Sequence, residues 1–396
     1  MTEHSGGTNK IWRVAIARDT AVPSLGLHGL HVACCGLPNV KVVGFFDSKA
    51  DDLTTIMAAT GAGRHYRDYI QMLDEETPDL VILCSRHPND HFPQIREAAN
   101  RGIHIYCEKP MTVNLEEADA VIALMQKTGI RCCMAHPARY ASTFLTMKKM
   151  IDDGTIGRPL TIHGRGKSDH RGGGEDMMVL GTHILDLQSF FFGNPKSVYA
   201  EIHENGQPIH RGQLSKTVEP IGPTAGDHIF ASFLFPNDVR GIFESRRGLV
   251  SPGQSTQMGV CVIGTTGTLS LRFDDHRDAD LLISRSPLPP DADAHYEKVD
   301  VPQCSTRAGA APLDESLLGR QTPRARLFLE ANRNAILDLI RSIDEDRQPV
   351  SNPYNARLAL EIIYGVYESH LSARTIHFPL TRREHPLLTT HNDEGG

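Results

Sequence analysis

Short apolar runs and amphipathic stretches alternate along the first third of the chain. Five apolar runs predict buried strands, at Trp12–Ala17, Val40–Phe46, Leu80–Cys84, Ile103–Cys107 and Ile130–Met134. The segments between them carry helical spacing, at Tyr69–Leu73, Pro93–Asn100 and Leu115–Thr128. Strands that alternate with helices are typical of parallel β-α-β units, so this pattern predicts a doubly wound parallel sheet.

The clearest predicted helix is Leu115–Thr128. It places five apolar residues on one face, namely Leu115, Ala118, Val121, Ile122 and Met125. Asn114 precedes the helix as a candidate N-cap, and Gly129 follows it as a candidate stop.

The pattern changes after residue 136. Helices are predicted at Phe144–Asp153 and Asp176–Phe192, around a strand at Leu160–Gly164. Six strand-like runs then follow without helices between them, at Ser197–His203, His228–Phe235, Arg240–Ser245, Gly259–Ile263, Thr268–Phe273 and Leu281–Ser284. Such a series indicates an open antiparallel or mixed sheet.

The end of the chain completes this division into two domains. A long surface loop is predicted at residues 286–323, and two helices follow at Ala325–Asp344 and Asn355–Ser372. The sequence therefore predicts an α/β protein. Residues 11–136 form a doubly wound nucleotide-binding domain, and residues 137–390 form a second α/β domain with a large open sheet.

Composition and charge exclude several classes of protein. The 396 residues carry 41 Lys and Arg against 48 Asp and Glu, so no basic surface for a nucleic-acid backbone is expected. No apolar run is long enough to cross a membrane. Eight cysteines without a Cys-x-x-Cys spacing indicate free thiols in a reducing cytoplasm, and we expect no bound metal.

The carboxyl ends of the predicted parallel strands are where a ligand is expected. Asp47 directly follows the second strand, where a carboxylate binds a ribose diol and repels a 2′-phosphate. It predicts NAD rather than NADP as the cofactor, although the neighbouring Ser48 and Lys49 weaken that preference. The alternative is that Asp47 is merely a polar residue at a strand end.

The glycine loop after the first strand departs from the dinucleotide fingerprint. Only Gly26 and Gly29 remain, and both arrive several residues late. Side chains of Arg18, Thr20 and Ser24 are candidates to replace the missing main-chain contacts.

The segments after the third and fourth strands carry further candidates. Lys109, followed by Pro110, would place a fixed cation in the ligand crevice. The residues expected to contact the cofactor are Gly26, Gly29, Asp47, Ser85, Pro88, Asn89, His91, Glu108 and Lys109.

A helix that begins at three glycines, Gly172–Gly174, carries the second group of candidates. Asp176, His183 and Asp186 fall on one face of it. A histidine between carboxylates suits a general base, although a lone helical histidine is often structural. Before this helix, Arg165, Lys167, His170 and Arg171 are either substrate ligands or a solvated basic loop.

These motifs together resemble the glucose–fructose oxidoreductase, inositol dehydrogenase and MocA family of NAD(P)-dependent oxidoreductases. The resemblance rests on Pro88-Asn89-Asp90-His91, Glu108-Lys109-Pro110, Gly154-Thr155-Ile156-Gly157 and Gly181-Thr182-His183-Ile184-Leu185-Asp186. It implies a Rossmann domain, and a second domain whose sheet joins subunits into a homodimer or homotetramer.

The resemblance also implies catalysis by Lys109 and His183 at the reacting carbon. The family commonly has Asp four residues before this histidine, and here that position is Val179. Asp186, one helical turn after His183, is expected to orient it instead. The expected substrate contacts are Arg139, Arg165, His170, Asp176 and His183.

Three functions are compatible with these features. The leading one is NAD-dependent oxidation of a secondary hydroxyl in a sugar, a polyol or a related compound. The second is a redox-neutral reaction of the same fold, an epimerase, lyase or glycosidase that uses NAD transiently. The third is a sugar-binding regulator without turnover, which the degraded glycine loop and Val179 would suit.

Overall fold

The computed structural model describes residues 10–18, 29–49, 51–251, 258–272, 279–286, 295–302, 310–312 and 322–389. Within them the chain forms two sheets, one in each half of the sequence. The first sheet is entirely parallel and the second is mixed.

The amino-terminal half alternates strands and helices. Its strands are β1 Trp12–Ala17, β2 Val40–Phe46, β3 His65–Tyr66, β4 Leu80–Leu83, β5 His104–Cys107 and β6 Cys132–Met134. Its helices are α1 Leu30–Ala33, α2 Leu53–Thr60, α3 Tyr69–Glu76, α4 Pro88–Ala99 and α5 Leu115–Thr128.

The six parallel strands have the order β3-β2-β1-β4-β5-β6, which confirms the predicted doubly wound sheet. This order reverses beside β1, so a ligand crevice opens between the carboxyl ends of β1 and β4. Local sequence explains the best-predicted helix. The Asn114 side chain accepts a hydrogen bond from the Glu117 N–H, and Gly129 ends α5 in the left-handed region, at φ 74°.

The carboxyl-terminal half begins with a 3₁₀ turn at Pro137–Tyr140. Its helices are α6 Ser142–Asp152, α7 Gly174–Asp176, α8 Thr182–Phe192, α9 Pro323–Asp344 and α10 Pro353–Ser372. Its strands are β7 Pro159–Arg165, β8 Ser197–Glu204, β9 Gln207–Pro208, β10 His228–Leu234, β11 Arg240–Arg246, β12 Gly259–Gly264, β13 Thr268–Arg272, β14 Leu281–Ser284, β15 Glu297–Lys298 and β16 Ile376–His377.

The second sheet has the order β15-β14-β13-β12-β7-β11-β10-β8-β16, with β9 paired to β8. Its neighbours run antiparallel except β7 and β11, which are parallel. Helix α8 covers one face, where a Cβ on Gly164 would meet the Ile184 side chain at 2.3 Å. A glycine is therefore required at this crossing.

The last two helices join the halves of the chain. Helix α10 packs against β8 of the second sheet and against α5 of the first domain, and α9 packs against α1 and β6. The predicted surface loop at 286–323 lies partly outside the described residues, and the short edge strand β15 occupies part of the remainder.

Candidate active site

Lys109 follows β5 at the carboxyl edge of the parallel sheet. Its side chain is 4% exposed, and its Nζ donates a 2.7 Å hydrogen bond to the main-chain oxygen of Val179. Burial lowers the pKa of Lys109 to about 8, against the opposing charges of Glu108 and Glu219. Lys109 is therefore still mainly an ammonium at neutral pH, and it is a strong donor to an oxygen that gains negative charge.

Val179 belongs to a π-helical turn, Met177–Gly181, between α7 and α8. The sequence predicted one continuous helix over Asp176–Phe192, and the π turn interrupts it. A π turn bonds each N–H five residues back rather than four, and such turns are frequent at functional sites. Here the turn presents the Val179 carbonyl to Lys109. The main-chain oxygen of this residue accepts the hydrogen bond of the ammonium, at the position where the resemblance would place an Asp.

His183 lies four residues after Val179, at the start of α8. Its ring stacks on Phe328 of α9, with centroids 6.3 Å apart, and meets the ring of His136 edge-on at 5.8 Å. Three separate segments thus fix the imidazole. The sequence singled out His183 but not Phe328 or His136, because neither belongs to a motif.

Asp186 has partners other than the expected one. Its two carboxylate oxygens each accept a 2.8 Å hydrogen bond from Arg139, and one lies 3.3 Å from Nδ1 of His136. Burial alone would raise the pKa of Asp186, but Arg139 and His136 hold it well below its usual range. Asp186 thus contacts Arg139 and His136, and the ring of His136 in turn meets that of His183. That Asp186 orients His183 and that Arg139 binds substrate both stay predictions.

Asp176 is fully buried, which argues against its predicted contact with substrate. Its Oδ2 accepts a 2.5 Å hydrogen bond from the Ser245 hydroxyl and one of 3.2 Å from the Ser168 N–H. Burial raises the pKa of Asp176 to about 6, while these hydrogen bonds lower it. Asp176 therefore joins the loop before α7 to β11.

Two other predicted substrate ligands lie at the surface. Arg165 is the exposed last residue of β7 and lies opposite Glu244 in the register of β7 and β11. The side chain of His170 is 68% exposed, 3.9 Å from a carboxylate oxygen of Asp169. Their contact with substrate stays a prediction.

A buried carboxylate that the sequence did not indicate links the two domains. Glu219 accepts from Arg86, after β4, at 2.7 Å and from Arg171, before α7, at 2.9 Å. The Glu175 carboxylate accepts hydrogen bonds from the main-chain N–H groups of Val218 and Glu219, which fixes the segment that carries Glu219. No local pattern signals such a contact, because its members are far apart in sequence.

The residues after β4 mostly support the crevice rather than line it. His91, predicted to contact the cofactor, is fully buried, with its ring nitrogens 2.8 Å from the Ser85 oxygen and 2.9 Å from the Pro110 oxygen. His91 therefore ties the loop after β4 to the loop after β5, and its contact with the cofactor stays a prediction. Pro88 is the buried first residue of α4, and Asn89 is exposed beside it.

The polar groups at the carboxyl ends of the strands include other predicted cofactor contacts. The Ser85 hydroxyl donates to Asp90 at 2.6 Å, and Glu108 is buried next to Lys109. Gly29 adopts φ 85° at the start of α1. Gly26 lies outside the described residues.

Asp47 follows β2 as predicted, and it already has a cationic neighbour. Its Oδ2 accepts a 2.7 Å hydrogen bond from Arg18 Nε, and its Oδ1 accepts from the Lys49 N–H at 3.1 Å. Near this pair, Nδ1 of buried His31 has no hydrogen-bond partner among the described residues. Buried polar atoms in folded proteins nearly always have a hydrogen-bond partner, so a bound ligand is a candidate for this one.

These side chains fit a dinucleotide. Hydroxyl and phosphate groups would supply the missing partner of His31, while Asp47 and Arg18 would face the adenosine ribose. In the part of the chain that the structure describes, no three His, Cys, Asp or Glu side chains are grouped as metal ligands. Within the same residues, no helix is both long and apolar enough to span a bilayer.

Comparisons with known proteins agree with this arrangement. A curated oxidoreductase of Schizosaccharomyces pombe is 24% identical over 331 residues, 78% of this chain and 84% of that protein. The D-apiose dehydrogenase of Paraburkholderia graminis is 28% identical over 168 residues, but the match spans only 44% of that enzyme and 40% of this chain. Levoglucosan dehydrogenase, solved with NADH and L-sorbose, shares the fold with a TM-score of 0.70 at 18% identity, over 93% of this chain and 99% of that one.

The two halves of the chain also match two domain descriptions of one family. Residues 27–136 match the oxidoreductase family with an NAD-binding Rossmann fold, and residues 144–270 match the GFO/IDH/MocA carboxyl-terminal domain. These ranges together cover more than half of the chain, and they contain five of the six strands of the first sheet and the central strands of the second. The chain therefore belongs to the GFO/IDH/MocA family of oxidoreductases, with an NAD-binding Rossmann domain at its amino-terminal end.

Proposed function

We propose that this chain is an NAD(P)-dependent dehydrogenase that oxidises a secondary hydroxyl of a sugar, a polyol or a related compound. The observation that carries the proposal is the hydrogen bond from Lys109 to Val179 O, because it brings a buried ammonium within one helical turn of His183. A cation and an imidazole at the carboxyl edge of the parallel sheet suit the oxidation of an alcohol.

In the proposed reaction, the alcohol loses the proton of its hydroxyl and the hydride of the same carbon. His183 takes the proton, and Lys109 donates a hydrogen bond to the oxygen while charge develops on it. The nicotinamide, when bound, supplies the hydride acceptor. The C–O bond thereby becomes a carbonyl, and two electrons leave the substrate.

The surrounding residues hold the two catalytic groups. Val179 O directs the Lys109 ammonium, and Phe328 and His136 confine the ring of His183. The ion pair of Asp186 with Arg139 in turn fixes the carboxylate that faces His136. Because His136, Arg139 and Asp186 are buried and Phe328 is partly buried, the catalytic side chains should lose little freedom when substrate binds.

A sugar-like substrate is supported by the relatives. One is named D-apiose dehydrogenase, and a structural neighbour was solved with L-sorbose. The test is nicotinamide absorbance with a panel of sugars and polyols, with Lys109→Ala and His183→Ala as matched blanks. We expect the parent protein to form NAD(P)H with at least one of these compounds and both variants to lose this activity. Conversion of a sugar without net NAD(P)H formation would instead favour a redox-neutral enzyme, and absence of both turnover and cofactor binding would favour a regulator.

We further propose that two or four copies of the chain associate through the second sheet. Helices cover one face of this sheet, whereas the other face carries Tyr199, which is 44% exposed, and the partly exposed Phe230 and Ile242. Closed symmetric oligomers are the usual way to cover such a face. Light scattering should report a dimer or tetramer, and a monomer at micromolar concentration would contradict this.

A further inference from the structure

Arg18 occupies an unusual position for a charged residue. It directly follows β1, at the carboxyl edge of the parallel sheet, and its side chain reaches across to the end of β2. Its Nε donates to Asp47 Oδ2 at 2.7 Å, and its Nη2 donates to Asp52 Oδ1 at 2.7 Å. Only 6% of Arg18 is exposed, and its guanidinium also lies 5.4 Å from the centre of the Phe45 ring.

This contact changes the electrostatics of the ribose site. A carboxylate after the second strand accepts hydrogen bonds from the ribose hydroxyls of NAD, and its negative charge repels the 2′-phosphate of NADP. In this chain the guanidinium of Arg18 lies against that carboxylate, at hydrogen-bond distance. Because the same guanidinium also pairs with Asp52, the repulsion that Asp47 alone predicts is reduced rather than abolished.

The carboxylates that contact Arg18 do not use all of its donors. A guanidinium has five N–H groups, and within the residues that the structure describes the contacts with Asp47 and Asp52 use three of them. Two further cations lie at the same edge: Lys49 is exposed, and Arg67 donates to the main-chain oxygen of Ser48 at 3.4 Å. Arginine is well suited to bind phosphate in this setting.

We propose that Arg18 determines the choice of cofactor, so that the chain binds NADP(H) with an affinity comparable to that for NAD(H). Arg18 offsets part of the negative charge of Asp47 and provides the positive charge that contacts the 2′-phosphate. This inference rests on the proposed function, since it presumes that the crevice binds a dinucleotide. It differs from the preference for NAD that Asp47 alone predicts.

Binding of NADH and NADPH, measured by nicotinamide fluorescence, tests the proposal without a substrate. In the parent protein, the two dissociation constants should agree within about tenfold, because a charged hydrogen bond balances the repulsion. Arg18→Ala should weaken the binding of NADPH relative to that of NADH by about tenfold or more, because the negative charge of Asp47 then has no guanidinium beside it. Arg13→Ala is the matched control, since Arg13 lies on β1, which Arg18 directly follows, and it also pairs with a carboxylate, that of Glu76.

A second variant keeps the proposal testable if Arg18→Ala does not fold. Asp52 is partly exposed, so Asp52→Asn should fold. The substitution removes a negative charge that pairs with Arg18 and frees one Arg18 N–H group, because Asn has only one acceptor oxygen. It should strengthen NADPH binding relative to NADH by several-fold.

The outcomes separate this inference from the proposed function. NADH binding with NADPH more than about a hundredfold weaker would overturn the role of Arg18 and leave the dehydrogenase proposal standing. An unchanged ratio in Arg18→Ala, or in Asp52→Asn where Arg18→Ala does not fold, would also overturn it. Failure of the parent protein to bind either cofactor would overturn both proposals.

Discussion

The ammonium of Lys109 donates a 2.7 Å hydrogen bond to the main-chain oxygen of Val179, four residues before His183. Lys109 comes from the first domain, and Val179 and His183 come from the second. This contact therefore directs the cation, and it is one of the contacts that join the two domains at the site.

The protonation state of Lys109 should limit the rate at alkaline pH. Burial lowers its pKa to about 8, so the ammonium that stabilises the oxygen of the substrate is lost as the pH rises through that value. We expect kcat to fall above about pH 8 in the parent protein. Lys109→Arg should move this alkaline limit upward, because arginine stays charged. The pH profiles of kcat for the parent protein and Lys109→Arg measure this limit. If the alkaline limit is the same in both, the titrating group is not Lys109.

His183 should be the proton acceptor. His183→Ala should lower kcat by roughly 10²–10⁴, since a positioned general base contributes about that much. His170→Ala is the matched control, because His170 is an exposed histidine of the same domain. Steady-state kinetics of both variants, with cofactor binding checked separately, gives the comparison. If the two variants lost similar activity, His183 would not have this role.

The ion pair of Asp186 with Arg139 should be important for stability. Asp186→Asn leaves a buried guanidinium without its counterion, which costs about 3–5 kcal/mol of unfolding free energy. Asp152→Asn, which removes a partly exposed pair with Lys148, should cost about 1 kcal/mol or less. Urea unfolding measures both. Because the pKa of Asp186 is depressed in the folded state, its contribution is present at neutral pH and is lost as the pH falls below the usual Asp range.

Asp176 should have the opposite dependence on pH. Its pKa is raised from 3.8 to about 6, so the folded state binds the proton more tightly than the unfolded state does. Stability from this group is greatest at low pH and decreases as the pH rises through about 6, by up to roughly 3 kcal/mol in total. Asp176→Asn should remove this slope from unfolding free energies measured between acidic and neutral pH. A slope that persists would assign the titration elsewhere.

The sequence predicted the strands of the first domain well because each is a short buried run between polar segments. Strands β1 and β2 and helix α5 have the predicted bounds. Helix α2, Leu53–Thr60, was missed because it buries only Ile56 and Thr60, which is too little for a visible apolar face. The parallel pairing of β7 with β11 depends on contacts between distant segments, which periodicity does not report.

The same distinction applies to the site. Lys109 and His183 lie in recognisable motifs, so the sequence could single them out. Arg139 lies 47 residues before Asp186, and their pairing appears only when the chain is folded. Likewise, Asp47 predicts the ribose site, but its ion pair with Arg18 depends on how β1 and β2 are aligned.

A crystal structure of the protein with a nicotinamide cofactor and a bound polyol tests the central claim most directly. We predict that the adenosine ribose lies beside Asp47, and that Lys109 Nζ and the ring of His183 both approach one substrate oxygen to roughly 3 Å. A nicotinamide ring bound away from Lys109, or a substrate hydroxyl held by neither residue, would contradict the account.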